Sequence, residues 1–184
     1  MRKLLFLFLF LAALFLANTA AAQKFFTRDA KVKFNSDTPM EKIEAVNKSA
    51  SCLLDTQSGK MAWKVLMKGF QFEKALMQEH FNENYVESSQ YPNATFEGEI
   101  VNLKDINFSQ DGKYNAITKG KMTIHGVTKD VEMPGVIKVS GGTVTLNSNF
   151  TLVCADYDIK IPAVVRDNIA KEIKVMVEGV LKPK

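Results

Sequence analysis

From Gln23 to the C-terminus, apolar and polar side chains alternate in run after run. Successive side chains on extended backbone point to opposite faces, so alternation marks a strand with one wet face and one buried face. The clearest run is Lys113–Ile124. Tyr114, Ala116, Thr118, Gly120, Met122 and Ile124 hold its even positions. Lys113, Asn115, Lys119, Lys121 and Thr123 hold odd ones, and Ile117 is the exception. His125-Gly126 then reads as a turn. In the next run Val131, Met133, Ile137 and Val139 oppose Asp130, Glu132 and Lys138. Gly141-Gly142 is a second hairpin signal. After it Val144, Leu146, Phe150 and Leu152 alternate with threonines and asparagines. These three runs predict a meander.

The flanks obey the same rule. Ala30, Val32 and Phe34 alternate with lysines, as do Met61, Trp63, Val65 and Met67. Phe96 and Ile100 alternate with glutamates, and Ile173, Val175, Val177 and Leu181 with charged residues. A weaker run covers Ile43 to Asp55. About eight evenly spaced strands suit an all-β barrel or sandwich. The stretch Glu73–Asn82 lacks the alternation. There Phe72, Leu76 and His80, and likewise Met77, Phe81 and Tyr85, recur at helical spacing, which predicts one short helix. Thr38-Pro39 has the form of a cap and first-turn proline, and Val164–Ala170 reads as a second helical candidate.

Met1–Ala22 reads as a secretory signal, with 23–184 as the mature domain. Arg2 and Lys3 supply the positive start, Leu4–Ala17 the apolar core, and Ala20–Ala22 the small residues for cleavage. The apolar run is shorter than the roughly 20 residues of a membrane span. The expectation is a periplasmic or secreted protein with no integral span after cleavage. Losing Arg2 and Lys3 takes the formal charge from +4 to +2. So small an excess does not suggest nucleic-acid binding, which needs a concentrated basic face.

An eight-stranded barrel is either filled by its own side chains or wide enough for one small ligand. The inward parity mixes bulky groups with Gly98, Ala116, Thr118, Gly120 and Ser148, so both outcomes stay open. If a lumen exists, Phe34, Trp63, Val65, Met67, Phe96, Tyr114, Met122 and Phe150 would line it. Met77 and Phe81 would turn inward from the helix, and the ligand would be long and apolar. If the barrel is solid, the protein would be an envelope-stress or protein-interaction module working through its outer surface.

Two stretches resemble the YceI-like proteins. One is Leu76-Met77-Gln78-Glu79-His80-Phe81-Asn82-Glu83-Asn84-Tyr85, continuing to Tyr91-Pro92-Asn93-Ala94-Thr95-Phe96-Glu97-Gly98. The other is Gly120-Lys121-Met122-Thr123-Ile124-His125-Gly126-Val127-Thr128-Lys129. The resemblance implies an eight-stranded antiparallel lipocalin-like barrel, exported, with a polyisoprenoid or similar amphiphile in its lumen. The family's Arg-x-Asp-Phe-Gly-Ile-like stretch corresponds to Cys154–Ile159 here, without the Arg.

The remaining candidates for chemistry are few. His80 and Glu83 form a His-x-x-Glu pair, which supplies two metal ligands where a site needs three or four. Cys52 and Cys154 share the inward parity and could pair in an oxidising compartment. No serine elbow, phosphate loop or Cys-x-x-Cys occurs. The expectation is a non-enzymatic carrier with no catalytic residue, cofactor or metal. Its partner would be a long-chain isoprenoid or other apolar amphiphile, and self-association as a homodimer is left open.

Overall fold

Alternation over stretches of 7 to 14 residues gives strands long enough to curl into a closed sheet. The computed structural model describes residues 23–184, so the expected leader Met1–Ala22 lies outside the described residues. Eight long strands form: β1 (Lys24–Asp37), β2 (Lys42–Asp55), β3 (Lys60–Leu66), β5 (Asn93–Ile100), β6 (Gly112–Ile124), β7 (Val127–Ser140), β8 (Thr143–Val153) and β9 (Glu172–Pro183). A two-residue strand, β4 (Gln71–Phe72), adds to the edge of β2. The order is β1-β9-β8-β7-β6-β5-β3-β2, and β1 pairs with β2 to close the barrel. Every pairing is antiparallel.

The hairpin signals form the turns expected of them. His125 and Gly126 adopt φ of 50° and 75°, and Gly141 and Gly142 adopt 55° and 75°. Positive φ at both central residues matches the twist of the flanking strands. Gly98 and Gly120 face each other across β5 and β6. A Cβ on Gly98 would lie 2.3 Å from the Lys119 carbonyl oxygen, and one on Gly120 the same distance from that of Glu97. Only glycine permits so close an approach of two backbones.

The weak alternation of Ile43–Asp55 has a structural cause. Ala45 and Asn47 are buried on odd positions, then Ala50, Cys52 and Leu54 on even ones. The partner strand β1 switches phase as well, from Phe25 and Thr27 to Ala30, Val32 and Ser36. The β1–β2 register shifts at these points, so a bulge swaps the buried face. Asn47 secures the switch. Its Oδ1 accepts from the Ser49 amide at 2.8 Å, and its Nδ2 donates to the Leu66 carbonyl at 2.8 Å.

Helix α1 spans Ala75–His80 and runs into a wider π-type turn, Phe81–Tyr85. Two expected helical segments take other forms. Thr38-Pro39 sits in the tight β1–β2 hairpin, whose ladder ends at Asp37↔Lys42. Thr38 Oγ1 accepts from the amides of Met40 and Glu41, so the capping residue closes a turn instead of starting a helix. The stretch 164–170 holds only part of a single 3-10 turn, Ala163–Val165.

Candidate functional site

The interior divides into two ends. At one, Phe25, Leu54, Val144 and Leu181 are at most 2% exposed and pack with Ile100, Ile106 and Val139 into a solid plug. Toward the other end the inward side chains surround a cavity of about 630 Å³. That volume falls within the roughly 300–1,000 Å³ usual for small-molecule sites. The solid-barrel alternative is therefore not the architecture observed.

Nine of the ten residues expected to line a lumen do line it: Phe34, Trp63, Val65, Met67, Met77, Phe81, Phe96, Met122 and Phe150. Tyr114 does not. It points inward but lies two residues from the start of β6, beside the plug, and its hydroxyl donates to the Gln110 carbonyl at 3.0 Å. Parity fixes the face a side chain takes but not its height along the barrel.

The mouth is covered by two segments that alternation cannot describe. The first runs from Met67 to Val86 and carries α1. Phe70, Phe72 and Phe81 gather against Phe34 of β1, with ring centroids 5.1–5.8 Å apart. Tilted and edge-on contacts at such separations are the favoured aromatic geometry. Phe70 and Phe72 are among the lining residues absent from the expected set, and the Phe70-x-Phe72 alternation was the available signal for them. The second segment is 154–171. Ala170 donates its amide to Ser36 Oγ at 2.8 Å, and Asn168 Nδ2 donates to Glu41 Oε2 at 3.3 Å. These bonds tie it to the β1–β2 hairpin.

The barrel wall parts beside this second segment. Strands β7 and β8 pair from Ser140↔Thr143 only as far as Val136↔Asn147. Beyond that point β7 continues on β6 alone and β8 on β9 alone. Ser148 Oγ donates to the Pro134 carbonyl at 2.6 Å across the start of the gap. Cys154–Tyr157 fills the widening wedge, and Tyr157 is buried there. Burial raises the Tyr157 hydroxyl above its ordinary pKa, and the neighbouring Asp156 charge adds to the effect.

His125 fastens the arrangement. Its Nδ1 lies 3.0 Å from the Tyr157 carbonyl, its Nε2 2.8 Å from a Glu87 carboxylate oxygen, and its ring packs on Tyr91. The β6–β7 turn, the loop after α1 and the wedge segment thus meet at one side chain. Its polar-parity position in the sequence gave no hint of this.

Cys52 and Cys154 are free thiols, so the disulfide considered from the sequence does not form. Cys52 belongs to the plug on β2, which pairs with β1, β3 and β4. Cys154 follows β8, which pairs with β7 and β9, and lines the cavity. Shared parity put both thiols inside but at opposite ends of non-neighbouring strands. Burial raises the pKa of both. His80 is exposed on the rim of the cavity. Among the described residues, no three His, Cys, Asp or Glu side chains are grouped to hold a metal ion.

Leu76 of α1, which is 60% exposed, and Val165 and Ile169 of the 154–171 segment also line the cavity. An antiparallel barrel plugged at one end and hollow at the other, with an apolar lining, defines a class of single-lumen β-barrels. Within it, the chain belongs to the YceI-like domain family, whose model matches residues 21–181. Among solved structures, a polyisoprenoid binding domain from Saccharophagus degradans superposes with a TM-score of 0.76 at 12% identity. That match covers 89% of this chain and 99% of the other. BcnA of Burkholderia cenocepacia gives 0.68 at 17% identity, covering 83% and 95%. A Campylobacter jejuni YCEI protein gives 0.58 at 16%, covering 76% and 84%. At these identities the likeness shows the fold. No curated protein sequence matches the chain.

Proposed function

We propose that the protein is an exported carrier that sequesters one long apolar amphiphile, of the polyisoprenoid class, in its lumen. The observation that carries this reading is the 630 Å³ cavity walled by aromatic and methionine side chains. Flexible thioethers and flat rings make an adaptable apolar lining. Burying about twenty carbons is worth on the order of 16 kcal/mol at about 0.8 kcal/mol per methylene. Association costs on the order of 4–15 kcal/mol, so a long chain binds usefully and a short one does not. The Saccharophagus barrel, which shares the fold, is described as polyisoprenoid binding. The sequence of Met1–Ala22 supports export to the periplasm or medium.

Protein purified from its own host, extracted with organic solvent and analysed by mass spectrometry, is expected to yield a long-chain amphiphile in near-stoichiometric amount. An empty extract from such protein would refute the reading.

A further inference from the structure

The gap between β7 and β8 borders the lumen directly. Pro134 and Gly135 of β7, Asn147 and Ser148 of β8, and Cys154 and Tyr157 of the wedge segment all line the cavity. Val136 and Val153, on the two strands that flank the gap, line it too and are still 37% and 36% exposed. Single side chains here touch both lumen and water. The ladder that ties β7 to β8 stops at Val136↔Asn147, so no backbone pairing closes the wall beyond it.

The wedge segment, Cys154–Tyr157, is fastened unequally on its two sides. On the β9 side the backbone holds it. The Cys154 amide donates to the Lys171 carbonyl at 2.9 Å, and the neighbouring Ala170 is bonded to Ser36. Inside the turn the Asp158 and Ile159 amides donate to the carbonyls of Ala155 and Cys154. Toward β6 and β7, among the described residues, one hydrogen bond reaches it, between His125 Nδ1 and the Tyr157 carbonyl at 3.0 Å. Glu87 Oε2, 2.8 Å from Nε2, and the Tyr91 ring hold that imidazole in place.

The same junction gathers unusual backbone. Among the described residues, Glu87, His125 and Asp158 are the non-glycine residues of positive φ, at 44°, 50° and 54°. His125 takes this conformation in its hairpin turn. Glu87 and Asp158 belong to no hairpin. The first supplies the carboxylate that holds the imidazole, and the second follows the carbonyl that the imidazole meets. Left-handed backbone at such residues persists where surrounding contacts impose it, and it collects at clamps and switches.

Building on the lumen-binding reading, we propose that the β7–β8 gap is a lateral portal for the lipid, with Cys154–Tyr157 as its gate and His125 with Glu87 as the latch. The gate hinges at Ala170-Lys171. Releasing the latch frees the side that no ladder holds and lets the backbone at Glu87 and Asp158 relax. A long chain then enters side-on between the strands, without threading past the aromatic cover of Phe70, Phe72 and Phe81.

The latch is separable from the binding surface, because neither His125 nor Glu87 lines the cavity. Trp63, the one tryptophan of the chain, does line it. It transfers excitation to retinol, an isoprenoid alcohol that absorbs where tryptophan emits. Stopped-flow mixing of retinol with the mature protein, stripped of bound lipid, gives the association and dissociation rates. His125→Asn tolerates the left-handed turn but is too short for both partners. It is expected to raise both rates together by at least about tenfold, the weight of a hydrogen bond to a charged group, with Kd unchanged. Glu87→Gln weakens the same contact and should raise both rates by a smaller factor. It carries the test if His125→Asn fails to fold. In both variants, without ligand, the Cys154 thiol of the gate should react faster with a maleimide. Gln78→Ala loosens the cover at the mouth instead, by removing the acceptor of the Phe72 amide, and should leave the rates near those of the wild type. Faster exchange in Gln78→Ala, or wild-type rates in both latch variants, overturns the portal while leaving lumen binding intact. If retinol draws no energy transfer from Trp63 in the wild-type protein, the lumen-binding reading falls, and the portal with it.

Discussion

The two ends of the barrel are built from one residue alphabet and one alternation, yet one is solid and the other hollow. Val144, Leu146, Phe150 and Leu152 lie on a single face of β8. The first is fully buried in the plug, and the last two are half-buried on the lumen wall. What differs is the circumference. The β7–β8 ladder exists only at the plugged end, from Ser140↔Thr143 to Val136↔Asn147. Past it the wall is completed by a turn, Cys154–Tyr157, which spaces the strands apart. Side chains that would meet across a tighter barrel then stand around a void. Hydrophobic pattern decides which face is inside, and strand pairing decides whether the inside is filled.

The largest effect expected from this contrast is on stability. Phe25→Ala removes a ring that is 2% exposed in the plug and should cost about 3–5 kcal/mol in urea unfolding, through lost burial and the cavity left behind. Phe150→Ala removes the same ring from a wall that already faces empty space. Its expected cost is about 1 kcal/mol, because the ring is only partly buried and no new enclosed void results. Equal losses would break the distinction between the two ends.

Adding volume reverses the test. Val144→Phe forces a larger group into a site with no exposure and should destabilise by about 1–3 kcal/mol. Ala94→Phe adds bulk to the lumen wall and should change stability by less than about 1 kcal/mol, while occupying space meant for ligand. Loss of extractable amphiphile with a nearly unchanged urea midpoint is the expected signature. A cooperative loss of stability in Ala94→Phe would mean the lumen is tighter than its volume indicates.

The same contrast explains what the sequence revealed. Every long strand was legible, because each places at least three apolar residues at period two on a shared face. Even the blurred run Ile43–Asp55 was legible as a strand, although the bulge at Asn47–Ala50 hid its phase switch. Seven of the residues that border the cavity were legible for the same reason, Met77 and Phe81 were legible from helical spacing, and Tyr114 falls outside because parity carries no height. The cover over the mouth was mostly illegible. Its contacts join residues far apart in sequence, such as Glu41 with Asn168 and Glu87 with His125, and no local pattern encodes them. Thr38 shows the same limit in miniature, since one oxygen can cap a helix or close a hairpin and only the neighbouring strands decide.

The two thiols offer the finest test, since they mark the two ends. Burial raises the Cys52 thiol far above its ordinary value of 9.0 and raises Cys154 as well. For a raised folded-state pKa, both states keep the proton below 9.0 and the group contributes no pH dependence. Above 9.0 the unfolded chain ionises while the plugged thiol does not. Stability should therefore fall with rising pH, by up to about 1.4 kcal/mol per unit from Cys52 alone. Cys52→Ala should cost about 1 kcal/mol at neutral pH through the small cavity it leaves, and should flatten this alkaline slope. The difference between the two curves isolates the thiol. Cys154, on the wetter wall, should react with a small maleimide in the native state and more slowly when the lumen is filled. Cys52 should react only as the barrel unfolds. Parallel stability curves, or native labelling of Cys52 at the rate of Cys154, would show that the plug admits water and that the two ends differ less than their packing implies.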